Sequence, residues 1–236
     1  FLSNLETETQ LGFHLAIPKH WKNLERRVKE WDDKLRQHAP LPTRIYAAII
    51  NNLTAELDDI EAHTPRLQAA LREAIVEHRK AKAAQNRICI GPALVEKHGL
   101  AAYFDRRGFT GPRPMLSMAG AITEIFLICK VQIHVFSGMR HSEARHLPYH
   151  CMAPENGPHG RKHCLIAGTT TKFNKGRRLR TKWVSTDDGF RAIRLAQQFA
   201  AVIYEALGVT PSTSGDLMDK YPLFPSVQYL PWRSGD

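Results

Sequence analysis

The chain has 236 residues, 43% of them hydrophobic and 24% charged, which suits a folded soluble domain and excludes a disordered chain. Its formal net charge of +10 favours a polyanionic partner, either nucleic acid or an acidic membrane surface. The four cysteines, Cys89, Cys129, Cys151 and Cys164, are too scattered for a secreted disulfide framework, so a reducing cytoplasm is expected.

Amphipathic helices are predicted over the first third of the chain. Apolar residues recur at steps of three and four over Lys19–His38, and charged residues fill most of the other positions. Ala39–Pro42 should break this helix, after which Thr43 is placed to cap a second one. Pro65 is expected to open a third helix that runs toward Lys82.

The middle of the chain divides into a loop-rich passage and an apolar helix. Residues 86–114 include four glycines and three prolines, so they are expected to connect elements, with one short helix near Ala93–His98. A nearly apolar, buried helix is predicted from about Ser117 to Phe136. Glu124 and Lys130 interrupt its apolar run, so we do not expect it to span a membrane.

A hairpin and a long helix are predicted in the second half. The strands His163–Thr170 and Arg178–Ser185 should pair, because the residues between them include Asn-Lys-Gly, which favours a turn. An amphipathic helix should then run from about Phe190 to Leu207 and end at Gly208. The predicted fold class is therefore mainly α with a small antiparallel β-sheet (α+β).

One arginine follows a glycine turn between two predicted helices. Arg140 lies two residues after Gly138, and a short helix is expected to start at His141 and end before Pro148. A guanidinium held at such a joint can grip phosphate, because its donors form a rigid fork that matches pairs of phosphate oxygens. The alternative is an ordinary surface arginine after a helix C-cap.

The predicted hairpin concentrates positive charge. Between residues 161 and 186 there is no acidic residue, and the eight cations are Arg161, Lys162, Lys172, Lys175, Arg177, Arg178, Arg180 and Lys182. DNA phosphates are the natural counterpart of such a segment, since neutralising them releases counterions. A solvated basic hairpin without a partner is the alternative.

The segment around Arg140 resembles the TG-x-R-x-SE-x-x-x-L signature of the tyrosine recombinases, the phage-integrase family of DNA strand-exchange enzymes. The residues in register are Gly138, Arg140, Ser142, Glu143 and Leu147. Ser137 stands where threonine is usual. The resemblance implies a tyrosine-recombinase catalytic-domain-like fold over residues 41–236, incomplete at its C-terminus. Residues 1–40 would form an N-terminal helical segment, which could belong to a core-binding domain.

The resemblance also implies a function and its residues. The family cleaves and rejoins DNA through a phosphotyrosine, without a metal or another cofactor. Arg140 would be the first catalytic arginine, and Lys172 would protonate the leaving 5′ oxygen, with Lys175 as the other candidate. The DNA-binding residues would be Lys175, Arg177, Arg178, Arg180 and Lys182. The implied partners are double-stranded DNA and further copies of the protein assembled on it, in the cytoplasm at the nucleoid and not at a membrane.

The second half of the family's active site does not appear in the sequence. No His-x-x-Arg box follows Lys172, Tyr204 comes too early in the order, and Tyr221 and Tyr229 follow no such box. Leu223–Pro225 resembles the LFP loop that often precedes the box. The resemblance therefore implies a recombinase truncated before its nucleophilic tyrosine, and this chain alone should not cleave DNA.

Two alternatives remain from the sequence. One is a catalytically inactive DNA-binding protein on the recombinase scaffold. The other is a zinc-stabilised interaction module built around Cys151 and Cys164, each of which follows two histidines spaced four residues apart. Pro148 and Gly160 fall inside those two spacings, so neither pair is expected to share a helix face, and no metal site is predicted.

Overall fold

The computed structural model describes most of the chain, in two units. The described residues are 21–34, 41–81, 84–109, 114–157, 162–170, 178–213 and 220–232. Contacts between backbone positions divide the chain into Phe1–Ile45 and Tyr46–Asp236. The first unit contains helix α1 (Trp21–Lys34), a predicted amphipathic helix, and the described side chains of α1 are exposed.

The rest of the described chain is mainly helical, as predicted. After α1 the helices are α2 (Thr43–Lys80), α3 (Ala84–Lys97), α4 (Ala101–Arg106), α5 (Pro114–Ser137), α6 (His141–Arg145), α7 (Asp187–Leu207) and a 3₁₀ helix (Val227–Tyr229). The buried core lies mainly among α2, α4, α5 and α7. Together with the small sheet below, this arrangement confirms the α+β class.

The sheet is antiparallel and has three described strands in the order β1-β2-β3. They are β1 (Glu155–Asn156), β2 (Lys162–Thr170) and β3 (Leu179–Ser185). The pairing of β2 with β3 confirms the predicted hairpin strands, with Ile166 opposite Trp183 and Thr170 opposite Leu179. Strand β1 was not predicted, because two residues are too few to show an alternating pattern.

The ends of α7 follow from local chemistry. The Thr186 hydroxyl accepts a hydrogen bond from the Gly189 amide at 3.3 Å, which caps the first turn. Gly208 closes the helix with φ of +68°, a left-handed conformation that glycine adopts without steric cost. Between the two caps, Ile193 and Phe199 are almost fully buried, and α7 packs along α5. The helix was predicted correctly, but Leu207, which its spacing predicts to face inward, is 44% exposed.

Helix α5 is the only described helix long and apolar enough to cross a membrane, judged by length and composition alone. Core helices of globular proteins pass the same test, and α5 buries Ile122, Ile125, Cys129 and Ile133 in the protein. Packing in the core therefore accounts for much of the apolar sequence of α5.

The predicted helix break at Pro65 is wrong. Helix α2 is continuous from Thr43 to Lys80 with Pro65 inside it. Proline removes one backbone donor and disfavours a helix interior, but Ile60 and Leu67 on either side are buried in the core. The Thr64 hydroxyl also donates to the Ile60 carbonyl at 2.8 Å. Tertiary packing on both sides therefore outweighs the local cost of the proline.

The loop-rich passage predicted for residues 86–114 is also wrong. It is mostly helical, and Leu94, Tyr103 and Phe104 belong to the core. Gly99 and Gly108 have φ of +60° and +72°, and they follow the ends of α3 and α4. These glycines end helices rather than marking an irregular segment, which composition alone did not distinguish.

Candidate functional site

A glycine turn joins α5 to α6. Gly138 has φ of +64°, a left-handed conformation that favours glycine, and its amide donates to the His134 carbonyl at 2.9 Å. The Ser137 hydroxyl donates to the Ile133 carbonyl at 2.6 Å and accepts from the Met139 amide at 3.3 Å. The turn is therefore fixed by hydrogen bonds on both sides of the glycine.

Packing anchors the residue just before Arg140. Met139 is 4% exposed, and its carbonyl accepts a hydrogen bond from Nδ1 of His134 at 2.8 Å. Because a carbonyl can only accept, Nδ1 of His134 carries the proton. The His134 ring stacks on His141, with ring centroids 5.9 Å apart and planes 10° from parallel. The backbone on either side of Arg140 is thereby held in place.

Arg140 is the N-cap residue of α6, and its backbone is tied to Glu143. The Arg140 amide donates to Oε2 of Glu143 at 2.7 Å, and the Arg140 carbonyl accepts from the amides of Glu143 and Ala144, both at 3.0 Å. The Arg140 side chain is exposed and has no hydrogen bond or ion pair to another described residue. Its guanidinium is therefore presented from a fixed backbone.

Glu143 links this joint to the hairpin. Its carboxylate is mostly buried, and Oε1 accepts a hydrogen bond from the Thr170 hydroxyl at 2.6 Å, while Oε2 binds the Arg140 amide. Thr170 is the last residue of β2. Because a carboxylate taken out of water needs hydrogen-bond donors, these two bonds stabilise it and fix α6 against the end of β2.

A small open cleft lies between α6 and the hairpin. It has a volume of about 100 Å³ and is lined by Ser142, Glu143, His146, Thr169 and Arg178. The cleft is therefore bordered by polar side chains from both elements. It lies beside the bridge that Glu143 makes between Arg140 and Thr170.

Some of the other predicted site residues lie within the described part of the chain and some lie outside it. Lys172, Lys175 and Arg177 lie outside the described residues, so their predicted roles stay predictions. Arg178 and Arg180 are exposed where β3 begins.

Lys182, another predicted DNA-binding residue, has an acidic neighbour in the fold. It pairs with Ala167 across the sheet and forms an ion pair with Glu155 of β1. Part of its charge is therefore already balanced within the protein. Sequence reasoning did not foresee this pairing, because β1 was not predicted.

Thr170 was also missed. It ends a predicted strand as an ordinary β-branched residue, and only its bond to the Glu143 carboxylate distinguishes it. The available signal was indirect. Glu143 lies in the first turn of a short helix, and a carboxylate that becomes buried there must accept a hydrogen bond from some donor. Nothing in the sequence specifies which donor that is.

The described cysteines do not form a preorganised zinc site. Within the described residues, no three His, Cys, Asp or Glu side chains converge. Burial raises the pKa of the Cys151 thiol to about 12. Burial and the hydrogen bond to Asp187 raise the pKa of the Cys164 thiol as well. Both thiols are therefore protonated at neutral pH, so a zinc ion would have to displace their protons in order to bind. His159 of the zinc hypothesis lies outside the described residues.

Tyr204 does not resemble an activated nucleophile. Tyr204 lies in α7, donates to the Pro222 carbonyl at 2.7 Å and is buried, and that burial raises its pKa. Tyr221 packs edge-on against Tyr204, with ring centroids 5.8 Å apart. A raised pKa makes a phenol a poorer nucleophile, so Tyr204 has a structural role.

Comparison of the chain with protein-family models, curated proteins and solved structures finds no match.

The Glu143 bridge makes a measurable prediction. In a double-mutant cycle of Glu143→Gln and Thr170→Val, we expect a coupling energy of about 1–2 kcal/mol at neutral pH. Each single substitution already removes the charge-assisted hydrogen bond, so the double variant does not lose it a second time. Urea unfolding of the four proteins measures it. Thr123→Val on the exposed side of α5 serves as the control partner, and its coupling to Glu143→Gln should stay within about 0.5 kcal/mol. Equal coupling in both cycles would contradict the bridge.

Proposed function

We propose that the protein is a site-specific DNA strand-exchange enzyme of the tyrosine recombinase kind, with a catalytic-domain-like fold and with Arg140 as its first phosphate-binding arginine. The observation that carries the proposal is the hydrogen-bonded connection from the Arg140 amide through Glu143 to Thr170. This connection brings the arginine joint and the basic hairpin together in the fold. Lys172 follows Thr170 by two residues in the sequence.

The distribution of charge supports a polyanionic partner. On α2 and its neighbours, several cations are balanced by carboxylates: Arg107 binds Glu56 and Asp59, and Arg191 binds Glu61. Near the candidate site, the Arg140 side chain has no such partner among the described residues. Excess positive charge without an internal counter-ion attracts DNA phosphates and makes the affinity depend on salt.

The proposed chemistry needs a guanidinium held still. A tyrosine hydroxyl gives up its proton to a general base, which is not assigned in this chain, and attacks a DNA phosphorus. A bond forms between phosphorus and the tyrosine oxygen, and the bond from phosphorus to the 5′ oxygen breaks. Arg140 stabilises the negative charge on the phosphoryl oxygens through preorganised hydrogen bonds. Lys172 gives its proton to the leaving 5′ oxygen, with Lys175 as the other candidate. The attacking tyrosine is not assigned to any residue of this chain.

A DNA-binding measurement tests whether double-stranded DNA is the partner of the protein. We expect it to bind double-stranded DNA, assembling on it in several copies, with an affinity that falls steeply as salt rises. Fluorescence anisotropy of a labelled duplex over a series of salt concentrations measures this. Failure to bind at low salt would contradict both the enzyme and any DNA-binding role at the nucleoid.

A catalytically inactive DNA-binding protein is the second candidate. It is favoured by one observation: Tyr204 is buried, its pKa is raised by that burial, and its hydroxyl donates to the Pro222 carbonyl, so it does not offer a nucleophile. Such a protein would use the same basic surfaces without breaking a phosphodiester bond. Formation of a covalent protein–DNA adduct separates the two candidates, because only the enzyme forms one.

A further inference from the structure

Lys130 is unusual among the described cations in being half-buried without an acidic partner. Three described lysine or arginine residues are at least half-buried: Arg107, Lys130 and Arg191. Arg107 and Arg191 each bind at least two carboxylates. Lys130 makes no ion pair or hydrogen bond with another described residue. A desolvated cation without a counter-charge costs stability, so its place in this fold calls for an anion.

The surroundings of Lys130 leave its ammonium group facing an aromatic ring and another cation. Nζ of Lys130 lies 5.1 Å from the centre of the Phe224 ring, and Phe224 packs edge-on against Phe126 of α5. Burial, and next the charge of Arg145, lower the pKa of Lys130. The two cations are therefore close enough to repel. Arg145 is exposed and makes no ion pair or hydrogen bond with another described residue.

Arg145 lies on the same short helix as the candidate site. Helix α6 has Arg140 as its N-cap and ends at Arg145, so the two residues are five positions apart. At 1.5 Å per residue this is roughly 7.5 Å along the helix axis, about two base-pair rises of DNA. Five residues also turn about 140° around that axis, so Arg145 meets a strand bound at Arg140 through the reach of its long side chain.

We propose that Lys130 and Arg145, above the Phe224 ring, form a second phosphate site that takes a DNA backbone phosphate near the one bound by Arg140. The proposal rests on the function proposed above. A phosphate between the two cations replaces their repulsion with two charge-assisted contacts. The Phe224 ring supports the ammonium by a cation–π contact and shields it from water, which strengthens its attraction to the anion.

The salt dependence of DNA binding tests this site. We compare wild type with Lys130→Met, Arg145→Gln and the double variant, using a labelled duplex of arbitrary sequence. Each lost phosphate contact lowers the slope of log K against log salt by about 0.9, so the double variant should lose nearly two units of slope. Methionine fills the space of the lysine stem over Phe224, which keeps the fold intact, and thermal unfolding verifies this. Lys130→Arg keeps the positive charge and should therefore keep the wild-type slope.

The matched control removes the same charges from residues that already have carboxylate partners. Lys97→Gln with Arg106→Gln takes one lysine and one arginine from the surface, where they pair with Glu73 and Asp59. We expect this control to keep the wild-type slope. If the wild type binds DNA and the control has the same slope as the Lys130→Met, Arg145→Gln double variant, the second phosphate site is wrong and the proposed function is not affected. A wild type that does not bind DNA overturns both.

Discussion

The Arg140→Lys variant is expected to cleave DNA at least about 100-fold more slowly than wild type, with DNA affinity largely unchanged. The magnitude is that of losing one preorganised donor to a developing negative charge. Lysine keeps the positive charge but loses the fork that binds two phosphoryl oxygens at once. Affinity is kept because the hairpin cations and the other basic side chains still hold the DNA backbone.

The measurement uses the full-length gene product on a synthetic DNA substrate, with cleavage rate and affinity determined separately. Arg106→Lys is the matched control, since Arg106 is exposed and pairs with Asp59 far along the chain from the joint. The control should cleave at the wild-type rate. If Arg140→Lys loses affinity and cleavage to the same degree, Arg140 is a binding or folding residue, and the catalytic assignment is wrong.

The Arg107→Met variant is expected to lose about 2–3 kcal/mol of unfolding free energy at pH 7. The Arg107 side chain is 7% exposed and binds Glu56, Asp59 and Glu124. Removing one partner of a buried ion pair costs roughly 3–5 kcal/mol of unfolding free energy. We expect a smaller loss for Arg107→Met because its carboxylate partners are partly exposed to water. Its contact over the Tyr103 ring, 5.0 Å from the ring centre, is lost as well.

The same variant has a predicted pH dependence. Burial opposes ionisation of Asp59, but Arg107, Arg106 and His63 outweigh it, so the pKa of Asp59 lies below its usual range. A carboxyl group whose folded pKa is lowered stabilises the protein above its unfolded pKa, and that stability is lost as pH falls through the folded pKa. The difference between wild type and Arg107→Met should therefore narrow below about pH 4.

Urea unfolding at pH 7 and at pH 3 measures this difference. Arg106→Met is the control, because Arg106 is 54% exposed and, among the described residues, forms its ion pair with Asp59. This variant should cost less than about 1 kcal/mol of unfolding free energy. A gap between wild type and Arg107→Met that stays constant with pH would contradict the ionic origin of the stability.

The elements predicted correctly are those whose pattern is local. Helix α7 has caps at both ends and an apolar face at helical spacing, and the hairpin strands carry β-branched residues on either side of a turn sequence. Helix α5 was predictable because its sequence is apolar on nearly every side. In each case the information lies within about twenty residues of sequence.

The elements predicted wrongly depend on distant contacts. Pro65 should break a helix by local rules, yet the packing of Ile60 and Leu67 in the core keeps α2 continuous. The candidate site shows the same limit. Arg140 was chosen from a local string, but Thr170 binds Glu143 across 27 positions of sequence, and no local pattern specifies that pair. The position of Arg140 was thus predictable, and its connection to the hairpin was not.

Covalent trapping on a nicked duplex tests strand exchange most directly. When a cleaved end diffuses away, religation stops and the protein stays joined to DNA on a denaturing gel. With the full-length gene product we predict an adduct at the DNA 3′ end, with a free 5′ hydroxyl on the other fragment, because a tyrosine replaces the 5′ oxygen at phosphorus. Labelling either strand end identifies the linkage. Stable DNA binding without any adduct would contradict the enzyme and leave the DNA-binding protein.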